Sequence, residues 1–158
     1  MKKFSWIVLL VFITECIEPE TTGMVVAVAD GDTFTMLTPE REQIKIRLYG
    51  IDAPEKGQDF SKTSKQFLSD LVYDKKVVVL QIDTDQYGRT IGLVEVNNTS
   101  VNEEMLKAGL AWHYTQFDDN KKWTQLEAEA RTSQRGLWST QNPIAPWDFR
   151  KAKRKHLH

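Results

Sequence analysis

Gln43-Ile44-Lys45-Ile46-Arg47-Leu48-Tyr49 alternates polar and apolar side chains, the period-two pattern of a strand buried on one face. Ile44, Ile46 and Leu48 belong to the inward face, so Arg47 lies on the other. The next residues, Ile51-Asp52-Ala53-Pro54-Glu55, break the strand, because Pro54 fixes its own φ and brings no N–H to a ladder.

Toward the N-terminus, the β-branched run Met24-Val25-Val26-Ala27-Val28 stops at Ala29-Asp30-Gly31-Asp32, where Gly and Asp supply turn chemistry, and Thr33 to Leu37 returns as a strand. Toward the C-terminus, polar Lys56 to Lys62 form a loop, after which Phe67, Leu68, Leu71 and Val72 recur at helical spacing. Val77 to Ile82 and Thr90 to Val96 are two more strands, joined by Asp83 to Arg89. Val101, Met105 and Leu106, with a terminating Gly109, mark a second helix. Trp123 to Arg135 is a third, closed by Gly136, and Pro143 and Pro146 predict an irregular segment beyond it. Five short strands with a helix between the third and fourth are the element order of an OB-type barrel, a mainly β member of the α+β class.

A chain of 158 residues with 41% hydrophobic content closes one core rather than two. Residues 1–16 read as a signal peptide: Met1-Lys2-Lys3 precedes the apolar run Phe4 to Ile13, which is too short to span a membrane. The expected location is therefore periplasmic or extracellular. Cys16, the sole cysteine, rules out an intramolecular disulfide, and its place after the apolar run leaves a lipid anchor in the envelope as the alternative. Glu15 argues against that anchor, since lipid-modified cysteines usually follow a small residue. The net charge of −1 neither requires nor excludes a polyanionic partner, and the basic end around residues 151–158 reads as a solvated tail.

Asp32 opens one strand and Asp52 ends another, so two carboxylates 20 positions apart converge if those strands pair. Such a pair, with the carbonyl of Ala53, would suit a hard oxygen-seeking cation such as calcium and leave room for water and a phosphate. Each aspartate alone also fits a turn former or a cap. Glu55 lies three residues after Asp52, beyond the turn set by Pro54, where it could activate a water or be an exposed loop acid. Arg47 and Arg89 offer the planar fork that matches a charged phosphoryl group, although both also fit surface ion pairs. No Ser-His-Asp set, zinc-type Cys/His spacing or glycine-rich phosphate loop occurs, and His113 reads as a packing or rim residue.

Taken together, Asp30-Gly31-Asp32-Thr33, Ile46 to Glu55, Asp85-Gln86-Tyr87-Gly88-Arg89, Val101-Asn102-Glu103, Gly109-Leu110-Ala111, Arg135-Gly136-Leu137-Trp138 and Pro146-Trp147-Asp148-Phe149-Arg150 resemble the staphylococcal nuclease-like family, in its exported bacterial branch. The likeness runs over residues 23–150. It implies an OB-fold five-stranded barrel with three helices and a nuclease that cuts DNA and RNA to 3′-phosphate and 5′-hydroxyl ends. It also implies one calcium ion on Asp32, Asp52 and the main-chain oxygen of Ala53, with Glu55 as general base and Arg47 and Arg89 stabilising the phosphoryl charge. Tyr87 and Tyr114 would contact the substrate. The expected protein is a monomer with no obligate protein partner. The rival readings are a silent OB module that binds nucleic acid without cutting, and an envelope protein that binds calcium for rigidity.

Overall fold

A computed structural model describes residues 20–155. The expected export segment, residues 1–16 with Cys16, lies outside the described residues, as do residues 156–158 of the tail.

Five strands close a barrel. Strand β1 (Glu20–Val28) pairs antiparallel with β2 (Thr33–Leu37), and β2 with β3 (Gln43–Leu48). On its other edge β1 pairs with β5 (Lys76–Thr84), and β5 pairs with β6 (Thr90–Val96). The ring closes through a short parallel pairing of β3 with β6, in which Ile46 faces Thr90 and Leu48 faces Gly92. Closure removes the unpaired edges that would otherwise invite aggregation. β1 begins four residues ahead of its expected start at Met24, and it carries a bulge between Val25 and Ala27 that bends it around the barrel.

The period-two pattern sets the interior. Phe34, Met36, Ile46, Leu48, Val77, Val79 and Val94 are fully buried, whereas Arg47 faces outward as its position in the alternation requires. Helix α1 (Ser61–Val72) covers one end of the barrel with Leu68 and Val72. The dipeptide strand β7 (Thr99–Ser100) leads into α2 (Val101–Lys107), where the Ser100 hydroxyl accepts the N–H of Glu103 as a cap. Helix α3 (Lys121–Thr132) is capped in the same way by Asn120. It ends short of Arg135, and Gly136 opens a single 3₁₀ turn, Gly136–Ser139, rather than only closing the helix.

Two short strands stand outside the barrel. β4 (Ile51–Asp52) pairs antiparallel with β8 (Trp112–His113), so that Asp52 faces Trp112. The segment expected to be irregular beyond Pro143 instead contains a fourth helix, α4 (Pro146–Lys155). Proline at the first helical position lacks only an N–H that would have gone unused, and its φ is already helical. Asp148 in the first turn and Lys153, Arg154 and Lys155 in the last complement the helix dipole. Residues 151–155, expected as a solvated tail, are therefore the end of a helix. The fold is a mainly β, closed five-stranded barrel with four α-helices among the described residues, the OB-type architecture with one helix more than expected.

Candidate active site

The turn Asp30-Gly31-Asp32 between β1 and β2 brings the first acid to the barrel mouth. Ala29 donates its N–H to the Thr33 carbonyl at 2.9 Å, which closes the turn. Gly31 sits where helix α1 and the β4 loop approach most closely: a Cβ there would collide with Ser64 Oγ and lie 2.8 Å from Ala53 Cβ. A bare backbone is what lets Asp32 turn inward.

Asp32 and Asp52 do converge. Asp32 Oδ2 accepts the N–H of Ala53 at 3.0 Å, while its Oδ1 accepts the Thr33 hydroxyl at 2.9 Å and Arg47 Nη1 at 3.1 Å. The same guanidinium reaches Asp52, donating from Nη2 to Oδ1 at 2.9 Å, so Arg47 spans both acids. Asp52 is 0% exposed, held on β4 by the pairing with Trp112. Burial pushes the Asp32 carboxyl above its ordinary range, and the Arg47 charge offsets only part of that. Burial alone would lower the pKa of Arg47, but the two neighbouring carboxylates more than reverse it, so its charge is secure.

Glu55 follows one turn later. Its backbone N–H donates to Gln58 Oε1 at 2.8 Å, and its side chain is 38% exposed, with Oε1 engaged and Oε2 free of partners among the described residues. The partner of Oε1 is Arg150, whose Nη1 donates at 2.6 Å. Arg150 also donates from Nη1 to Asp52 Oδ1 at 3.2 Å and from Nη2 to Asp52 Oδ2 at 2.8 Å. Although burial opposes it, these hydrogen bonds raise the pKa of Arg150 well above the ordinary arginine value. The expectations from sequence assigned Arg150 no role in the site. It stood at the head of a basic run, and only the spacing of Trp147 and Arg150, which puts both on one helix face, could have drawn attention to it.

Arg89 immediately precedes β6, whose Thr90 and Ile91 pair with Ile46 and Arg47 of β3. It is held inside the β5–β6 hairpin, donating from Nε to Asp85 Oδ2 at 2.7 Å and from its N–H to Asp85 Oδ1 at 3.0 Å, and it makes no hydrogen bond to Asp32, Asp52 or Glu55. Tyr87 projects from the same hairpin, 76% exposed, with the Arg89 guanidinium 5.8 Å from its ring centre. Tyr114 stacks on Trp147 at 4.8 Å and meets the edge of Phe117 at 4.8 Å. His113 is buried between Asp118 and Thr124, as a packing residue would be.

Among the described residues, no three His, Cys, Asp or Glu side chains gather as a metal cage of their own. The acid pair nonetheless fits a divalent cation. Asp32 Oδ2 and Asp52 Oδ2 each accept a single hydrogen bond, which leaves one acceptor direction on each. The Ala53 carbonyl accepts none from the described residues. Hard oxygen donors of this kind, too few to enclose an ion, leave positions for water and a phosphate.

Residues 45–140 match the family described as staphylococcal nuclease homologue. A Haemophilus influenzae protein named an uncharacterized endonuclease is 39% identical over 153 residues, covering 97% of this chain and 86% of that one. A protein of the same name from Escherichia coli is 39% identical over 154 residues, covering 97% and 100%. The micrococcal nuclease of Shigella flexneri is 37% identical over 143 residues, covering 84% and 82%. Asp52, Glu55, Arg47 and Arg89 fall within the family match, while Asp32 and Arg150 lie on either side of it.

Proposed function

Because the chain belongs to the family of staphylococcal nuclease homologues and is therefore a nuclease acting on nucleic acid, we propose that it is an exported, calcium-dependent enzyme that hydrolyses phosphodiester bonds of DNA and RNA. The products of this reading are 3′-phosphate and 5′-hydroxyl ends, and the enzyme works as a monomer without an obligate protein partner. Export is supported by the charged start and apolar run of residues 1–16.

The observation that carries the reading is the pair of buried carboxylates, Asp32 and Asp52, spanned by one guanidinium with a half-exposed Glu55 beside them. Calcium held by Asp32, Asp52 and the Ala53 carbonyl would supply positive charge to the phosphate oxygens and lower the pKa of water. Glu55, whose side chain is 38% exposed, takes the proton of the attacking water on its Oε2. Water attacks phosphorus in line with the departing 5′-oxygen, and charge gathers on the non-bridging oxygens. Arg47, fixed at both ends by the acids, presents its remaining donors to that charge without reorganising. Arg89 is the second arginine that stabilises the phosphoryl charge, and Tyr87, beside it in the hairpin, and Tyr114, stacked on Trp147, contact the substrate.

The test is cleavage of single-stranded DNA and RNA by the purified mature chain with calcium, then with excess chelator, followed by end-group analysis. The expected outcome is calcium-dependent cutting that leaves 3′-phosphates. Glu55→Gln and Arg47→Ala should each lower kcat by about 100-fold or more while the protein stays folded. Binding without cutting by the wild type would overturn the reading in favour of a silent OB module.

A further inference from the structure

Helix α4 reaches the acid site through a definite chain of contacts. β8 pairs with β4 so that Trp112 faces Asp52. Trp147, the second residue of α4, packs its ring edge-on against Trp112 at 5.6 Å and stacks on Tyr114 at 4.8 Å. Just before the helix, the Ile144 carbonyl accepts Gln58 Nε2 at 2.9 Å, and Gln58 in turn holds the backbone of Glu55. Arg150 lies three residues after Trp147, on the same face of the helix, and so arrives over Asp52 and Glu55.

The guanidinium of Arg150 is only partly consumed there. An arginine has five N–H donors in a rigid fork. Nη1 uses both of its hydrogens, one on Asp52 Oδ1 and one on Glu55 Oε1, and Nη2 uses one on Asp52 Oδ2. The two left over, Nε–H and the second hydrogen of Nη2, lie side by side along one edge of the guanidinium, in a side chain that is 36% exposed. Two parallel donors on one edge match two oxygens of a phosphate. Arg89, whose Nε is bound to Asp85, makes no hydrogen bond to these acids.

The geometry points to Arg150 as a phosphate-binding catalytic residue: its end-on fork is seated on Asp52, and its free edge takes two non-bridging oxygens of the scissile phosphodiester. It thereby sets the phosphorus beside Glu55, whose other oxygen is unengaged. Arg150 adds a guanidinium to the acid site beyond Arg47 and Arg89, from a helix 95 residues after Glu55. This assignment rests on the nuclease reading above.

The full mature chain would be assayed with calcium on a short single-stranded DNA carrying one cleavable linkage, as the ordinary diester and as each phosphorothioate diastereomer. Arg150→Lys keeps the charge and the fold but loses the two-donor edge; Arg150→Ala loses both. Each variant should lose about 100-fold in kcat/KM on the ordinary diester. With one phosphorothioate diastereomer the loss should shrink several-fold, because sulfur already weakens the same contact. Melting of Arg150→Lys close to that of wild type accompanies this result. The assignment is overturned if Arg150→Lys cuts within twofold of wild type. It is overturned equally if the loss in the variants is the same for all three substrates, the mark of a residue that only supports the fold. Absence of cutting by the wild type would instead sink the nuclease reading itself, and the assignment with it.

Discussion

Asp32 carries its charge where solvent barely reaches, and its carboxyl is displaced upward for that reason, with Arg47 offsetting part of the shift. The folded chain therefore holds this proton more tightly than the unfolded chain does. Above the ordinary value of 3.8, the native state loses stability as pH rises through the folded pKa. Asp32→Asn should accordingly melt higher than wild type at pH 7 in chelator, by about 2–4 °C for each 1 kcal/mol recovered. The difference should close toward pH 4; a variant that melts lower at both pH values would refute this account. At this scale the sequence points to the acids and to Arg47 and Arg89, and is silent on Arg150. Asp32, Asp52, Arg47 and Glu55 sit in two short stretches, which the β2–β3 register and the β4–β8 pairing bring together. Arg89 is legible from its motif, in which Asp85, four residues earlier, holds its Nε. Arg150 bonds a residue 98 positions away, a separation no local pattern encodes.

Beyond the apolar packing of Val101, Met105 and Leu106, helix α2 is tied to the barrel by the side chain of Asn102. Asn102, fully buried, accepts the N–H of Val94 at 3.0 Å and donates to the Tyr49 carbonyl at 2.9 Å, joining the helix to β6 and to the turn that leads into β4. Asn102→Ala would strand a buried donor and a buried acceptor, at about 1–3 kcal/mol each. The expected total destabilisation is about 2–6 kcal/mol, measured by urea unfolding; a loss under about 1 kcal/mol would mean that water replaces both bonds. The five barrel strands and first three helices were legible because their apolar residues keep a period of 2 or 3.6. Helix α4 was not, because two prolines close together look like loop chemistry unless one of them falls at a helix start. β4 and β8, two residues each, are too short to carry a period and are made by their mutual pairing.

For the molecule as a whole, a net charge of −1 conceals an uneven distribution. Lys151, Lys153, Arg154 and Lys155 continue the helix that carries Arg150, and all are exposed. A single strand leaving the acid site along α4 would release counterions there, with about 0.7 in the slope of log affinity against log salt per phosphate neutralised. Replacing these four by glutamine should lower the salt slope of 1/KM by at least one such contact while kcat stays near wild type; an unchanged slope would show that the strand leaves by another path. Long-range closure also has a consequence in time. Translation runs N-terminus first at about 5–20 residues per second, so the 95 residues between Glu55 and Arg150 take about 5–20 s to make. Throughout that interval Asp52 and Glu55 have no Arg150 to hold, and a newborn nuclease spends the seconds nearest its own messenger RNA with its acid site unfinished.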